Sequence, residues 1–196
     1  MGKIFYIMGK SASGKDKIYG RLAGSPRLDL IPLILYTTRP IRHGEIQGKQ
    51  YFFVDEDRLK ELEAAGKVIE KRCYDTVYGV WTYFTVDDSQ IHLEDHDYLG
   101  IGTLESYEKM QEYFGKEKLC PIYIEVEDGE RLSRALKREG KQEVPKYAEM
   151  CRRFLADCED FSEENIARAG IKRRFENVDL EECIRDIEDY ILDIME

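Results

Sequence analysis

The segment Gly9-Lys10-Ser11-Ala12-Ser13-Gly14-Lys15-Asp16 fits G-x-x-x-x-G-K and departs from the usual motif only at its last residue, commonly Ser or Thr. Two glycines let successive backbone N–H groups turn inward on a phosphate. The helix that follows contributes its positive end, and Lys15 can reach the β and γ oxygens of a nucleotide. At ordinary Gly and Lys frequencies a chance match somewhere in such a chain is on the order of 5%. A strand before it and a helix after it lower that figure several-fold. Asp16 is the informative departure. A carboxylate beside phosphates is repelled unless a cation lies between them, so the loop implies a metal-dependent phosphate site, with Asp16 on the metal side directly or through water. The plainer alternative is that Asp16 only complements the helix N-terminus.

A second group of donors lies in Thr37-Thr38-Arg39-Pro40-Ile41-Arg42-His43-Gly44-Glu45, followed by Gly48, Tyr51 and Phe53. Arg39, Arg42 and the Tyr51 hydroxyl can converge on one phosphate, and the fork of Arg suits such a target. Taken alone, paired arginines in a loop more often face solvent. The same holds for Arg134, Arg138, Arg152 and Arg153, which read as a solvated helix face with pairs such as Glu130 and Arg134. Against the whole chain these cations stand out: 30 basic residues face 40 acidic ones in 196, a net charge of −10. That charge argues against non-specific binding to nucleic acid or an anionic membrane. No apolar run is long enough to span a bilayer, and the five scattered cysteines lack a CxxC pair. Reduced thiols in the cytoplasm are the expectation. His92 and His96 read as part of a solvated acidic turn rather than a metal site.

Elements to hold these residues follow from periodicity. Residues 3–8 form a strand, the glycine loop follows, and residues 17–24 have helical spacing. Residues 30–36 read as a second strand, and residues 37–54 as loops with short antiparallel strands. A helix over 55–65 is capped by Asp55. Short strands at 68–69 and 77–86 complete a small lobe. Buried strands return at 97–102 and 121–126 around a helix at 104–114, which implies βαβ units and a parallel sheet. Helices follow at 129–137, 144–161 and 180–194, with a last strand at 173–177.

The string TTRxxRxGExxGxxYxF, behind an N-terminal phosphate loop at the expected separation, resembles the nucleotide-binding lobe of the guanylate kinase family. Val68-Ile69-Glu70 looks like the short strand whose Glu reads guanine, and Tyr78-Gly79 like the phosphate-binding tyrosine and its glycine. Arg134 and Arg138 resemble the arginines at the start of the family's lid. Arg152 or Arg153 resembles the arginine after it, and spacing does not separate the two. Asn177 looks like the Asn of the family's Asn-x-Asp-Leu at the adenine end of the ATP site. The resemblance implies a single α/β domain: a core of residues 1–35, 95–135 and 159–196, an inserted acceptor lobe at 36–94, and a lid at 136–158.

The function it implies is ATP-dependent phosphorylation of GMP or dGMP. Lys15, Arg134, Arg138 and Arg152 or Arg153 would stabilise the transferring phosphoryl. Gly9, Ser11, Ala12, Ser13, Gly14, Lys15, Asp16 and Asn177 would hold ATP, with Mg2+ at Asp16. Arg39, Arg42, Tyr51, Glu70, Tyr78 and Gly79 would hold GMP. The other readings are a kinase of the same mechanism with a different acceptor, and a non-catalytic binding module; retention of Lys15, Arg134 and Arg138 weighs against the latter. Small nucleotides are the expected partners of a monomer or homodimer. The chain departs from the family at Leu35 and Val80, where hydroxyls are usual, and at Gly100 and Gly102, where an Asp-x-Asp strand is usual. Tyr36, Thr103, Asp97 and Glu105 are the polar residues nearest those gaps.

Overall fold

A computed structural model describes residues 2–76, 79–88 and 90–195. Its centre is a five-stranded sheet in the order β2 (Leu30–Pro32), β7 (Asp97–Ile101), β1 (Ile4–Met8), β8 (Leu119–Glu125), β9 (Arg174–Glu176), all parallel. Every residue of β1 is buried, as expected of a strand covered on both faces. Phe5 and Ile7 point to one side, where Ile18 and Leu22 of α1 (Lys15–Ala23) and Ile184, Ile187 and Ile191 of α7 (Leu180–Met195) pack. Ile4, Tyr6 and Met8 point to the other, against Tyr107 and Met110 of α3 (Leu104–Phe114).

A second sheet carries the lobe, in the order β4 (Phe52–Phe53), β3 (Tyr36–Thr37), β6 (Gly79–Val86), β5 (Val68–Thr76). Phe84 and Val86 on one face bury Leu59 and Leu62 of α2 (Glu56–Ala64). Asp55 caps that helix, accepting from the Arg58 N–H at 2.8 Å. The other face, carrying Glu70, Arg72, Tyr83 and Thr85, is turned away from α2. The remaining helices are α4 (Asp128–Glu139), α5 (Tyr147–Asp160) and α6 (Glu163–Arg168).

Several expected elements are redrawn. The run 30–36 is not one strand: Leu30–Pro32 joins the core and Tyr36 starts the lobe. The short strands within 37–54 are antiparallel only in part: β3 pairs antiparallel with β6 but parallel with β4. The two-residue strand at 68–69 extends to Thr76, and its partner begins at Gly79 rather than residue 77. The helix expected from 144 starts at Tyr147, and α6 was not foreseen. All five cysteines are free thiols. Among the described residues no helix is long and apolar enough to cross a membrane. Nor do His92 and His96 join any cluster of potential metal ligands there.

Candidate active site

The glycine loop leaves β1 and turns into α1 through backbone conformations its sequence makes accessible. Gly14 sits at φ 91°, and Ala12 at φ 65° is, among the described residues, the non-glycine residue held in the left-handed region. A Cβ on Gly14 would lie 2.4 Å from Asn177 Nδ2. That amide donates to the Ser13 carbonyl at 2.7 Å, so the buried Asn177 clamps the loop from beneath; its side-chain donor is turned to the loop rather than outward to an adenine. Ser13 Oγ is buried without a partner. Lys15 opens α1 with its side chain 22% exposed and its Nζ 3.8 Å from Asp16, a loose pair.

Asp16 is exposed in the first turn of α1. A free, hard carboxylate oxygen beside a phosphate loop is a suitable partner for Mg2+. Among the described residues no cluster of three or more His, Cys, Asp or Glu accompanies it. The donor set therefore fits an ion that takes its remaining ligands from phosphate and water.

The loop is tied to α4 and α5 through Ser11. Its N–H donates to Asp157 at 2.8 Å, its carbonyl accepts from Arg131 Nη1 at 2.9 Å, and its hydroxyl lies 3.5 Å from Arg153 Nη2. Arg131 is 1% exposed, bonds Asp128 through Nε and Nη2, and lies over the Phe154 ring. The spacing that leaves Arg152 and Arg153 equivalent is resolved by the helix: Arg153 faces the loop, whereas Arg152 turns to solvent and pairs with Glu149. Arg138, Arg153, Ser11 and Phe154 line a cavity of about 170 Å³. Arg134 makes the pair with Glu130 and also donates to the Asn177 carbonyl at 3.1 Å.

Across the cleft, Arg39 is 3% exposed and forked onto Glu45 at 2.8 and 3.0 Å. That guanidinium, with the Arg42 N–H, holds the Glu45 carboxyl down to about 2. Arg39 also lies over the rings of Tyr51 and Phe53, while its buried Nε has no acceptor. Arg42 lies over Trp81. Burial raises the Tyr51 hydroxyl, which also feels Arg39, Arg72 and Asp16. Gly79 is exposed at φ 105°; Tyr78 lies outside the described residues.

Glu70 is not the exposed strand-end acid its flanking lysines suggest. It is 5% exposed, while Lys67 pairs with Asp87 and Lys71 with Glu63. Thr85 Oγ1 donates to it at 2.7 Å, and Arg72 approaches through Nε at 3.1 Å and Nη2 at 3.4 Å. With Glu105 and Ser106 it lines a cavity of about 330 Å³.

Three of the four polar residues near the sequence gaps have other partners. Tyr36 donates to Asp88, Thr103 caps α3, and Asp97 accepts from the Lys3 N–H. Glycines at 100 and 102 make room for Tyr6: a Cβ at 100 would lie 2.6 Å from its ring, and one at 102 would lie 2.2 Å from its hydroxyl. That hydroxyl is bonded to Ser106 at 2.8 Å, and burial pushes it up to about 12. Gly102→Ala is expected to lower stability by about 1–3 kcal/mol through overpacking, read as a fall in Tm; an unchanged Tm would mean that Tyr6 moves aside freely.

The sequence profile of the family described as "Guanylate kinase" matches residues 1–193. A guanylate kinase of Anaplasma phagocytophilum (strain HZ) is 30% identical over 105 residues, 53% of this chain and 46% of the relative. One of Wolbachia pipientis wMel is 35% identical over 80 residues, 40% of this chain and 39% of the relative. The chain thus spans less than half the length of these curated relatives. The crystal structure of guanylate kinase from Anaplasma phagocytophilum superposes with a TM-score of 0.62 at 20% identity, covering 97% of this chain and 84% of that one, a likeness of fold.

Proposed function

As this chain belongs to the guanylate kinase family, we propose that it transfers the γ-phosphoryl of ATP to GMP or dGMP. The observation that carries this reading is the arrangement of the lobe face. It presents the cation Arg39, with an unpartnered N–H, near Tyr51, and further along the buried carboxylate Glu70. A phosphate and a base that offers two adjacent donors would fit that sequence of groups. The glycine loop and Lys15 lie opposite, where a nucleotide triphosphate would be cradled.

Phosphoryl transfer is positioning plus charge stabilisation. Lys15 neutralises the β and γ oxygens. Arg153, Arg138 and Arg134, at the lid end, answer the charge that spreads over the equatorial oxygens. Arg39, Arg42 and Tyr51 fix the acceptor phosphate, and Glu70 orients the base. Asp16 would hold Mg2+ together with the nucleotide phosphates, and the ion would supply further charge neutralisation. The lid at residues 136–158 and the lobe at 36–94 exclude water, which would otherwise take the phosphoryl.

A coupled ADP-release assay with ATP·Mg2+ across GMP, dGMP, AMP, CMP, UMP and dTMP tests the reading. GMP or dGMP is the expected best acceptor, and a best acceptor of another base overturns it. Charged hydrogen bonds of this kind contribute about 1.5–3 kcal/mol each, so Glu70→Gln should lower kcat/KM for GMP at least about tenfold and narrow its lead over AMP. Full discrimination by the Gln protein would remove Glu70 from that role.

A further inference from the structure

We propose that Arg72 is a specificity-determining residue of the acceptor site. It would donate to the 6-oxo oxygen of the purine while Glu70 accepts from the N1–H and 2-amino group. This rests on the reading of the chain as a guanine-nucleotide kinase and names how its base is read.

Glu70 and Arg72 are two residues apart on β5, so their side chains leave the same face of the strand. The register sets Glu70 opposite Thr85 and Arg72 opposite Tyr83 on β6. Thr85 fixes the carboxylate, and Arg72 stands beside it with its side chain only 11% exposed. The pair is not tightly forked. One contact is 3.1 Å and the other 3.4 Å, the second near the limit of a useful hydrogen bond. Nη1 has no acceptor among the described residues. A largely covered guanidinium with an unused edge thus adjoins a buried carboxylate.

Guanine presents O6 and N7 as neighbouring acceptors and, next to them, N1–H and the 2-amino group as donors. An Arg beside a carboxylate offers the complementary order. Adenine reverses both ends: its 6-amino group would meet Arg72 N–H, and its N1 lone pair would meet Glu70. Leu35 and the exposed Val80 supply no hydrogen bond here, and the hydroxyls of Tyr36 and Tyr6 are bonded to Asp88 and Ser106. Lys71 and Lys109, which line the cavity with Glu70, are paired with Glu63 and Glu112, so Arg72 is the cation that contacts Glu70 itself. The pairing also explains how the carboxylate is tolerated in its buried position without ligand.

The test compares GMP with 6-thio-GMP, which keeps N1–H and the 2-amino group but carries a weak acceptor at position 6. Wild type should favour GMP by at least about tenfold in kcat/KM, and Arg72→Met should remove about tenfold for GMP, chiefly through KM, while changing the thio substrate less than about threefold. If Arg72 only props Glu70, both substrates fall together, which overturns the proposal. So does wild type using the two equally, an outcome that needs no variant to fold. Wild type preferring AMP overturns the underlying reading and this proposal with it; GMP preferred, with equal losses in the variant, overturns this proposal alone.

Discussion

A folded Lys15→Ala protein should lose at least about 10²-fold in kcat, because the group removed acts on charge that develops as the phosphoryl transfers. The structure leaves Lys15 free to do so. Its partner, Asp16, is 3.8 Å away and exposed, and an exposed pair of this kind contributes about 0–1 kcal/mol. The substitution should therefore leave Tm nearly unchanged while collapsing turnover. Steady-state kinetics with saturating ATP and GMP, beside a thermal melt, reads both. Near-normal turnover in a folded Lys15→Ala protein would sink the assignment of the loop to the donor phosphates.

The second large effect separates neighbours. Arg153→Met is expected to cost at least about 10²-fold in kcat, in keeping with arginines that answer transition-state charge in phosphoryl transfer, whereas Arg152→Met should stay within about twofold. The difference comes from the helix alone. Successive residues on α5 point about 100° apart, so Arg153 reaches toward Ser11 while Arg152 runs along the outside to Glu149, its side chain 65% exposed. Equal losses, or a larger loss at Arg152, would mean that α5 turns when nucleotides bind.

What the sequence made legible was what local rules determine. The strand before the loop, the glycines within it and the helix after it are each decided by residues a few positions apart, and α3 was readable over its whole length because apolar spacing and its glycine end agree. The split of residues 30–36 was not readable. The apolar run is continuous, and the choice between two sheets is made by β7 and β6, far away in the chain. β5 was cut short because KRCYDT is polar; that polarity marks a face turned to a cleft, with Glu70 and Arg72 at period two. Arg131 and Asp157 gave no signal at all. A charged residue in an amphipathic helix is ordinarily solvated, and only the approach of the glycine loop buries this one. Gly100 and Gly102 read as losses until Tyr6 was seen to occupy their space.

The bond between the Ser11 N–H and Asp157 carries a thermodynamic obligation. The Asp157 carboxylate of α5 holds a donor of the loop that a phosphate seated there would need, so the two anions would compete for one N–H. A phosphate that took that donor would break this tie to α5, and by reciprocity a loosening of the tie would favour phosphate at the loop. Phosphate at the loop and the Ser11–Asp157 bond would then be alternative states of one N–H, with Arg153 still beside the loop in either.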